Sequence, residues 1–296
     1  MNTDTEKAYR TIKRVKSSKF NIDDLHNYTL SLLIGIKDLE MVVVNTGTND
    51  VVYLEDIKFD NVKTIKSRLE VIKSIYDAHH FLKAGFWKSV KVALKTHKYT
   101  LVPTTHFDAG SSKDYLAVSA EIRNNIEDVY HYKHLSTDAV NIYAGDKILL
   151  EWLNKVYRDK QIDIIHQGSA LIEGILHYND HSHEKSMFCF FDRAVLHIVV
   201  TRNRQLVYYN QFGIKQAEDY LKYMMLVFKE LALSQKTTKV TLWGFLKQTS
   251  PQVKLFKKYI RNIGFGGRPQ NLNFTYHFDE IADHQFFDLL NVHLCD

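Results

Sequence analysis

Residues 189–213 read CFFDRAVLHIVVTRNRQLVYYNQFG, and this stretch decides how the rest of the chain is interpreted. Three runs of β-branched, aromatic and leucine side chains are separated by short polar breaks at residues 192–193 and 202–204. Such breaks between apolar runs are typical of the turns in an antiparallel meander. The stretch therefore predicts three consecutive strands. An amphipathic helix is predicted after them, because apolar side chains recur at helical spacing: Ile214, Ala217, Leu221, Met224, Phe228 and Leu231.

An earlier part of the chain repeats this plan. Residues 28–59 read YTLSLLIGIKDLEMVVVNTGTNDVVYLEDIKF, with turn-forming breaks at 37–38 and 47–50. A helix is predicted next, capped at its start by Asp60 or Asn61. Each of the two helices is then followed by a short apolar strand, VKVAL in the first copy and KVTLWGF in the second. Two copies of the order strand, strand, strand, helix, strand predict a duplicated α/β fold.

Between the two copies the sequence predicts further alternation of strands and helices, ending in the polar connector NDHSHEK. We expect the two halves of the molecule to be hinged near this connector. The predicted division is an N-terminal arm at residues 1–26, a first lobe at 27–180 and a second lobe at 181–296. The basic side chains of the arm are expected to be loosely held: Arg10, Lys13, Arg14, Lys16 and Lys19.

The composition of the 296 residues is that of an ordinary globular protein, with 45% apolar and 25% charged residues. No window approaches the run of about 18 apolar residues that spans a bilayer, so we expect no membrane insertion. The two cysteines exclude a disulfide framework and favour a reducing cytoplasm. A net charge of +5 is mild, and nucleic-acid binders usually concentrate far more positive charge.

The stretch AVNIYAGDKILLEWLNKVYRDK at 139–160 resembles the corresponding segment of pilus-assembly and secretion proteins of the actin-like ATPase superfamily. The segments YTLVP at 99–103 and LVYYNQFG at 206–213 resemble more closely a bacterial family described only as a domain of unknown function and assigned the same fold. The resemblance implies two ribonuclease-H-like lobes, each with the order β-β-β-α-β-α-β-α. It also implies a cleft between the lobes, where active members of the superfamily bind ATP and magnesium. It implies no activity for this chain.

The sequence departs from the phosphate-binding hairpins of the active members in both lobes. A glycine is required there because a Cβ would block the approach of phosphate, and a carboxylate is required because magnesium prefers oxygen ligands. The first lobe keeps Gly35 but has Leu33 where the resemblance places an aspartate. The second lobe keeps Asp192 but has Ala194 in place of the glycine. Each hairpin therefore lacks one chemically necessary residue.

The adenosine motif of the superfamily is also incomplete, because Gly244 is followed by Phe245 instead of a second glycine. We therefore predict a pseudo-enzyme with no cofactor and no catalytic residues. Asp192 is predicted to be a turn residue that hydrogen-bonds its own backbone. If the cleft did bind ATP and magnesium, its residues would be Gly35, Asp192 and Gly244.

Two other clusters in the sequence carry possible chemistry. Imidazoles and carboxylates that could bind zinc or nickel occur within eight residues: His177, Asp180, His181, His183 and Glu184. No cysteine pair or H-E-x-x-H spacing accompanies them, so we interpret them as a solvated connector and predict no metal site. Basic side chains lie on one face of a predicted helix, and we interpret that face as the solvated side of an amphipathic helix: Lys254, Lys257, Lys258 and Arg261.

These observations favour a cytoplasmic, non-catalytic binding or scaffold protein that recognises another protein. Two alternatives stay open. One is a nucleotide-binding switch with a degenerate site between the lobes. The other is a nucleic-acid-associated protein that uses the basic helix face.

Overall fold

The computed structural model describes residues 8–178 and 185–295. The strands, numbered in chain order, are β1 (Tyr9–Lys16), β2 (Tyr28–Ile34), β3 (Asp38–Asn45), β4 (Asp50–Phe59), β5 (Ser89–Leu94), β6 (Tyr99–Val102), β7 (Glu127–Lys133), β8 (Val140–Asp146), β9 (Ile162–His166), β10 (Ser186–Asp192), β11 (Val195–Arg202), β12 (Gln205–Gly213), β13 (Val240–Gly244) and β14 (Ile263–Phe265). The helices are α1 (Ile65–Ala78), α2 (Ser112–Ala117), α3 (Lys147–Val156), α4 (Gln167–Tyr178), α5 (Glu218–Glu230), α6 (Pro251–Tyr259) and α7 (Phe287–Asn291).

The strands form two large sheets and one small one. The first sheet has the order β1-β4-β3-β2-β5-β9, the second has β12-β11-β10-β13-β14, and the small one has β6-β8-β7. In each large sheet an antiparallel meander (β2-β3-β4 or β10-β11-β12) is extended by a parallel strand that follows a helix. The predicted duplication is therefore confirmed. Its turns follow local chemistry, since Asn49, Arg193 and Asn203 adopt the left-handed backbone conformation that such tight turns require.

The N-terminal residues correct one expectation. Tyr9–Lys16 are not a loosely held arm but form β1, which pairs antiparallel with β4 at the edge of the first sheet. Val15 is buried there, and the guanidinium of Arg14 donates to Glu55 Oε1 over 2.6 Å. The basic run shows no apolar alternation because Val15 is the one buried side chain of β1 and the others stay exposed or half-exposed. Its pairing was therefore invisible in the local sequence.

The start of α1 corrects a second expectation. Neither Asp60 nor Asn61 caps this helix. Asn61 has a φ of 58°, so the chain turns there, and Thr64 caps the helix by accepting from the backbone N–H of Ser67 over 3.0 Å. The Ser67 hydroxyl in turn accepts from the Thr64 backbone, which completes a capping box.

Helix α4 and the C-terminal segment hold the two large sheets together. Nearly every residue of α4 is buried, and α7 packs against it. The chain after β14 returns to the first sheet, where Leu272, Phe278 and Leu289 share an apolar cluster with Val42 and Val44 of β3. Within residues 8–178 and 185–295, no helix is long and apolar enough to cross a membrane.

Candidate functional site

The first hairpins of the two large sheets meet directly. Asp38, at the start of β3, lies opposite Arg193, in the turn between β10 and β11. The Arg193 Nε donates to Asp38 Oδ2 over 2.5 Å, and its terminal Nη2 donates to Asp56 Oδ1 over 2.6 Å. The side chain of Arg193 keeps 30% exposure, whereas that of Asp56 keeps 1%. The guanidinium therefore joins the sheets from the rim of their interface.

Lys95, the residue after β5, lies at the centre of this interface. Its Nζ lies 2.8 Å from Glu40 Oε1, 3.0 Å from Asp38 Oδ2 and 3.1 Å from Asp192 Oδ2. Ligand atoms of the three carboxylates lie within 4.8 Å of one another, a spacing that could also surround a metal ion. An ammonium group has three donors and can satisfy three acceptors at once. The lysine thus neutralises charge where a divalent cation would otherwise be needed.

The buried position changes the proton affinities of the cluster. Burial raises the pKa of Glu40 well above its ordinary value, although the charge of Lys95 opposes this shift. Burial lowers the pKa of Lys95, but the nearby carboxylates outweigh it, so the net shift is well upward and the ammonium stays charged. Burial also raises the pKa of Asp288 to about 6. One oxygen each of Glu40 and Asp288 is buried without a hydrogen-bond partner among the described residues.

Helices α4 and α7 complete the cluster from its other side. The side-chain amide of Gln167 donates to Asp192 Oδ2 and to Asp288 Oδ2, both over 2.8 Å. The prediction that Asp192 bonds to its own backbone is therefore wrong, because its carboxylate accepts from Lys95 and Gln167. Only the position of Asp192 at the hairpin turn was predicted correctly. Its side-chain partners follow β5 and begin α4, and both are distant from Asp192 in the sequence.

Gly35 belongs to the same interface. A Cβ on this residue would lie 1.8 Å from Asp38 Oδ1. The space beside Gly35, which the resemblance assigns to phosphate, is occupied here by a carboxylate of the same hairpin. Leu33 is fully buried in the core of the first sheet. The structure therefore brings Gly35 and Asp192 together, but around a lysine.

Gly244 is constrained by backbone, with a φ of 95° and only 2.3 Å between an added Cβ and the carbonyl oxygen of Phe191. Its N–H donates to the carbonyl of His284 over 2.7 Å. The ring of Phe245 packs edge-on against Phe286, with 5.3 Å between centroids. The C-terminal segment therefore covers this motif.

The residues that sequence reasoning missed share one feature, an ionisable side chain. Five of them are charged side chains within or beside apolar strands, Asp38, Glu40, Asp56, Lys95 and Arg193, and the sixth, Asp288, is buried in α7. In KDLE, Asp38 and Glu40 lie on one face of β3 and Leu39 on the other, and both faces are buried. A charge on a buried strand face needs a partner, which was the available signal.

The other predicted clusters lie away from this interface. The basic residues of α6 and Arg261 are exposed, while Val253, Phe256 and Ile260 are buried, as expected for an amphipathic helix. His177 is exposed at the end of α4. Asp180, His181, His183 and Glu184 lie outside the described residues, so their predicted role as a connector stays a prediction.

Comparisons with known proteins give the fold a context. A sequence model of the family described as "Protein of unknown function (DUF3822)" matches residues 17–263. No curated protein matches the sequence. A Bacteroides thetaiotaomicron protein "with actin-like ATPase fold and unknown function" superimposes with a TM-score of 0.78 at 20% identity, covering 94% of this chain and 100% of that one. A structure titled "PilM-PilN type IV pilus biogenesis complex" gives a TM-score of 0.62 at 11% identity, covering 90% and 97%.

Proposed function

Because this chain belongs to the family described as "Protein of unknown function (DUF3822)" and has the actin-like ATPase fold, we propose that it is a non-catalytic binding or scaffold protein. The observation that carries the proposal is the position of Lys95. Its ammonium group lies between the hairpins of the two sheets, where nucleotide-binding members of this fold seat phosphate and metal. The cleft is closed by the protein's own side chains.

The charge of the closed cleft opposes a nucleotide. Two cations, Lys95 and Arg193, are surrounded by more carboxyl groups than they can neutralise: Asp38, Glu40, Asp56, Asp192 and Asp288. A triphosphate would add further negative charge to this buried, acidic site. Magnesium cannot offset that charge at the centre, because the Lys95 ammonium already contacts three carboxylates there.

A closed two-lobed fold suits recognition of a protein. The PilM–PilN complex pairs proteins in pilus biogenesis, and its likeness to this chain supports such a use of the fold. In this proposal the ion-paired cleft holds the two sheets in a fixed relation, and the outer surfaces meet the partner. Within the described residues, no contact favours the nucleotide-binding switch or the nucleic-acid-associated protein over this role.

Calorimetric titration and thermal unfolding with Mg-ATP test the non-catalytic part. We expect no heat of binding and no change in Tm. A ligand at 100 times its Kd adds about 2.7 kcal/mol to stability, or on the order of 5–10 °C for a chain of this size. A shift of that size would overturn the proposal. So would ATP turnover that Asp192→Asn abolishes and Asp138→Asn, an exposed control, leaves intact.

The binding role needs a separate test. Reversible crosslinking in cells that express the chain, followed by purification under denaturing conditions, should recover a stoichiometric protein partner. Recovery of the uncrosslinked chain alone would contradict a scaffold role while leaving the closed cleft untouched.

A further inference from the structure

A cavity of about 340 Å³ lies beside the interface between the two large sheets, and Lys95 contributes to both. It lies beyond the carboxyl ends of the adjacent parallel strands β2 and β5, between the start of α1 and the end of β8. In open α/β sheets, ligands bind in crevices beyond the carboxyl ends of the strands. The cavity therefore lies where sheets of this type commonly bind a ligand.

The lining of this cavity has an apolar part that is buried. Ile34 and Leu94 end β2 and β5, Ala144 comes from β8, and Leu149 comes from α3. All four keep 5% exposure or less. Contact with these side chains would remove apolar ligand surface from water, which is worth roughly 25 cal/mol for each Å².

The charged part of the lining is unbalanced towards positive charge. Lys98 and Arg123 share one carboxylate, that of Glu127, over 2.7 Å and 3.0 Å respectively, so this group of three carries one net positive charge. Lys63 is exposed at the start of α1 and makes no ion pair with residues 8–178 or 185–295.

The remaining two cations of the lining have their own carboxylates. Arg68 pairs with Asp146, and Lys95 reaches into the acidic cluster described above. Among the side chains that line the cavity, two positive charges are therefore left without a carboxylate of their own, one from Lys63 and one from the group around Glu127.

We propose that this cavity binds a small organic anion, with an apolar body against the buried lining and a carboxylate or phosphate group at the basic rim. Its volume lies at the lower end of ligand pockets, which suits a small molecule. Charge-assisted hydrogen bonds from Arg123 and Lys63 would orient the acidic group, and Lys98, whose three donors already reach Glu127 and the Glu121 carbonyl, would contribute charge alone. The cavity adjoins the closed cleft through Lys95, but anion binding at its rim is independent of the proposed scaffold role.

A pair of probes with the same apolar body and opposite charge tests this proposal. Isothermal titration with octanoate and with octylamine, both below their micellar concentrations, should show saturable binding of octanoate only. Raising the ionic strength should weaken the binding, because the rim is exposed to solvent.

Substitutions at the rim locate the site. Lys63→Glu and Arg123→Gln should each weaken octanoate binding about fivefold, as expected for an exposed ion pair. Lys66→Glu is the matched control, since Lys66 is exposed in the first turn of α1, three residues after Lys63, but does not line the cavity, and the Kd of this variant for octanoate should be unchanged. Equal binding of both probes, no octanoate binding, or equal weakening by the control would each overturn the proposal.

Discussion

Replacing Lys95 by methionine tests whether the cation holds the cleft together. The substitution keeps the length and apolar stem of the side chain but leaves Glu40, Asp38 and Asp192 facing one another without the central ammonium. Breaking a buried ion pair by removing one partner costs about 3–5 kcal/mol, because the remaining charge is buried and unpaired. For a chain of this size the loss corresponds to a fall in Tm of about 6–20 °C.

The loss should depend on pH in one direction. Burial raises the pKa of Glu40 in the folded state, and removing Lys95 also removes the charge that opposes this rise. A raised pKa contributes stability that is fully present below the ordinary value of 4.5 and is lost as pH rises through the folded pKa. The variant should therefore lose more stability, relative to the wild type, at pH 8 than at pH 5.

Urea unfolding at the two pH values measures both effects. Lys83→Met is the matched control, because Lys83 pairs with Asp77 on the surface, with side chains 53% and 65% exposed. That pair is worth less than about 1 kcal/mol, with little dependence on pH in this range. A loss of under about 1 kcal/mol in Lys95→Met, or an equal loss at pH 5 and pH 8, would refute the argument that this cation neutralises buried carboxylates.

Two further substitutions test neighbouring parts of the site. Asp288→Asn keeps an acceptor for Gln167 but removes a carboxyl whose pKa burial raises to about 6. In the wild type, the stability that the protonated Asp288 carboxyl contributes is lost as pH rises from about 4 through 6. In urea titrations the variant should gain on the order of 2–3 kcal/mol relative to the wild type between pH 4 and pH 8; a constant difference would contradict this. Gly244→Ala should cost at least about 2 kcal/mol in free energy of unfolding, because the backbone is left-handed and the added Cβ meets the Phe191 carbonyl. Gly213→Ala, whose added Cβ would meet open space, should change the free energy of unfolding by less than about 1 kcal/mol. Similar losses in the two variants would contradict the steric argument.

The sequence predicted the repeated sheets because their signals are local. The runs in residues 189–213 alternate with polar turns, and each meander is followed by a helix with a recognisable apolar face. Such patterns follow from backbone conformation and from side-chain direction, which depend on near neighbours. The resemblance to actin-like proteins of unknown function rested on the same segments and is confirmed by the family match and the solved structures.

Other parts of the fold depended on distant contacts. The basic run of β1 carries no strand pattern of its own, and it is ordered because β4 presents a free edge and the Glu55 carboxylate. Likewise, nothing near Phe287 in the sequence predicts that its ring stacks 4.2 Å from Trp243. These pairings are non-local and add no periodic signal to the chain.

By itself, the sequence placed Gly35 and Asp192 in two similar hairpins and predicted an incomplete nucleotide site there. Only the tertiary structure decided which side chains surround these two residues. Lys95 lies 55 residues or more along the chain from its carboxylate partners Glu40, Asp38 and Asp192. Turn formation is a local property of the backbone, whereas the neutralisation of buried charge is a property of whichever side chains the completed fold brings within about 3 Å of each other.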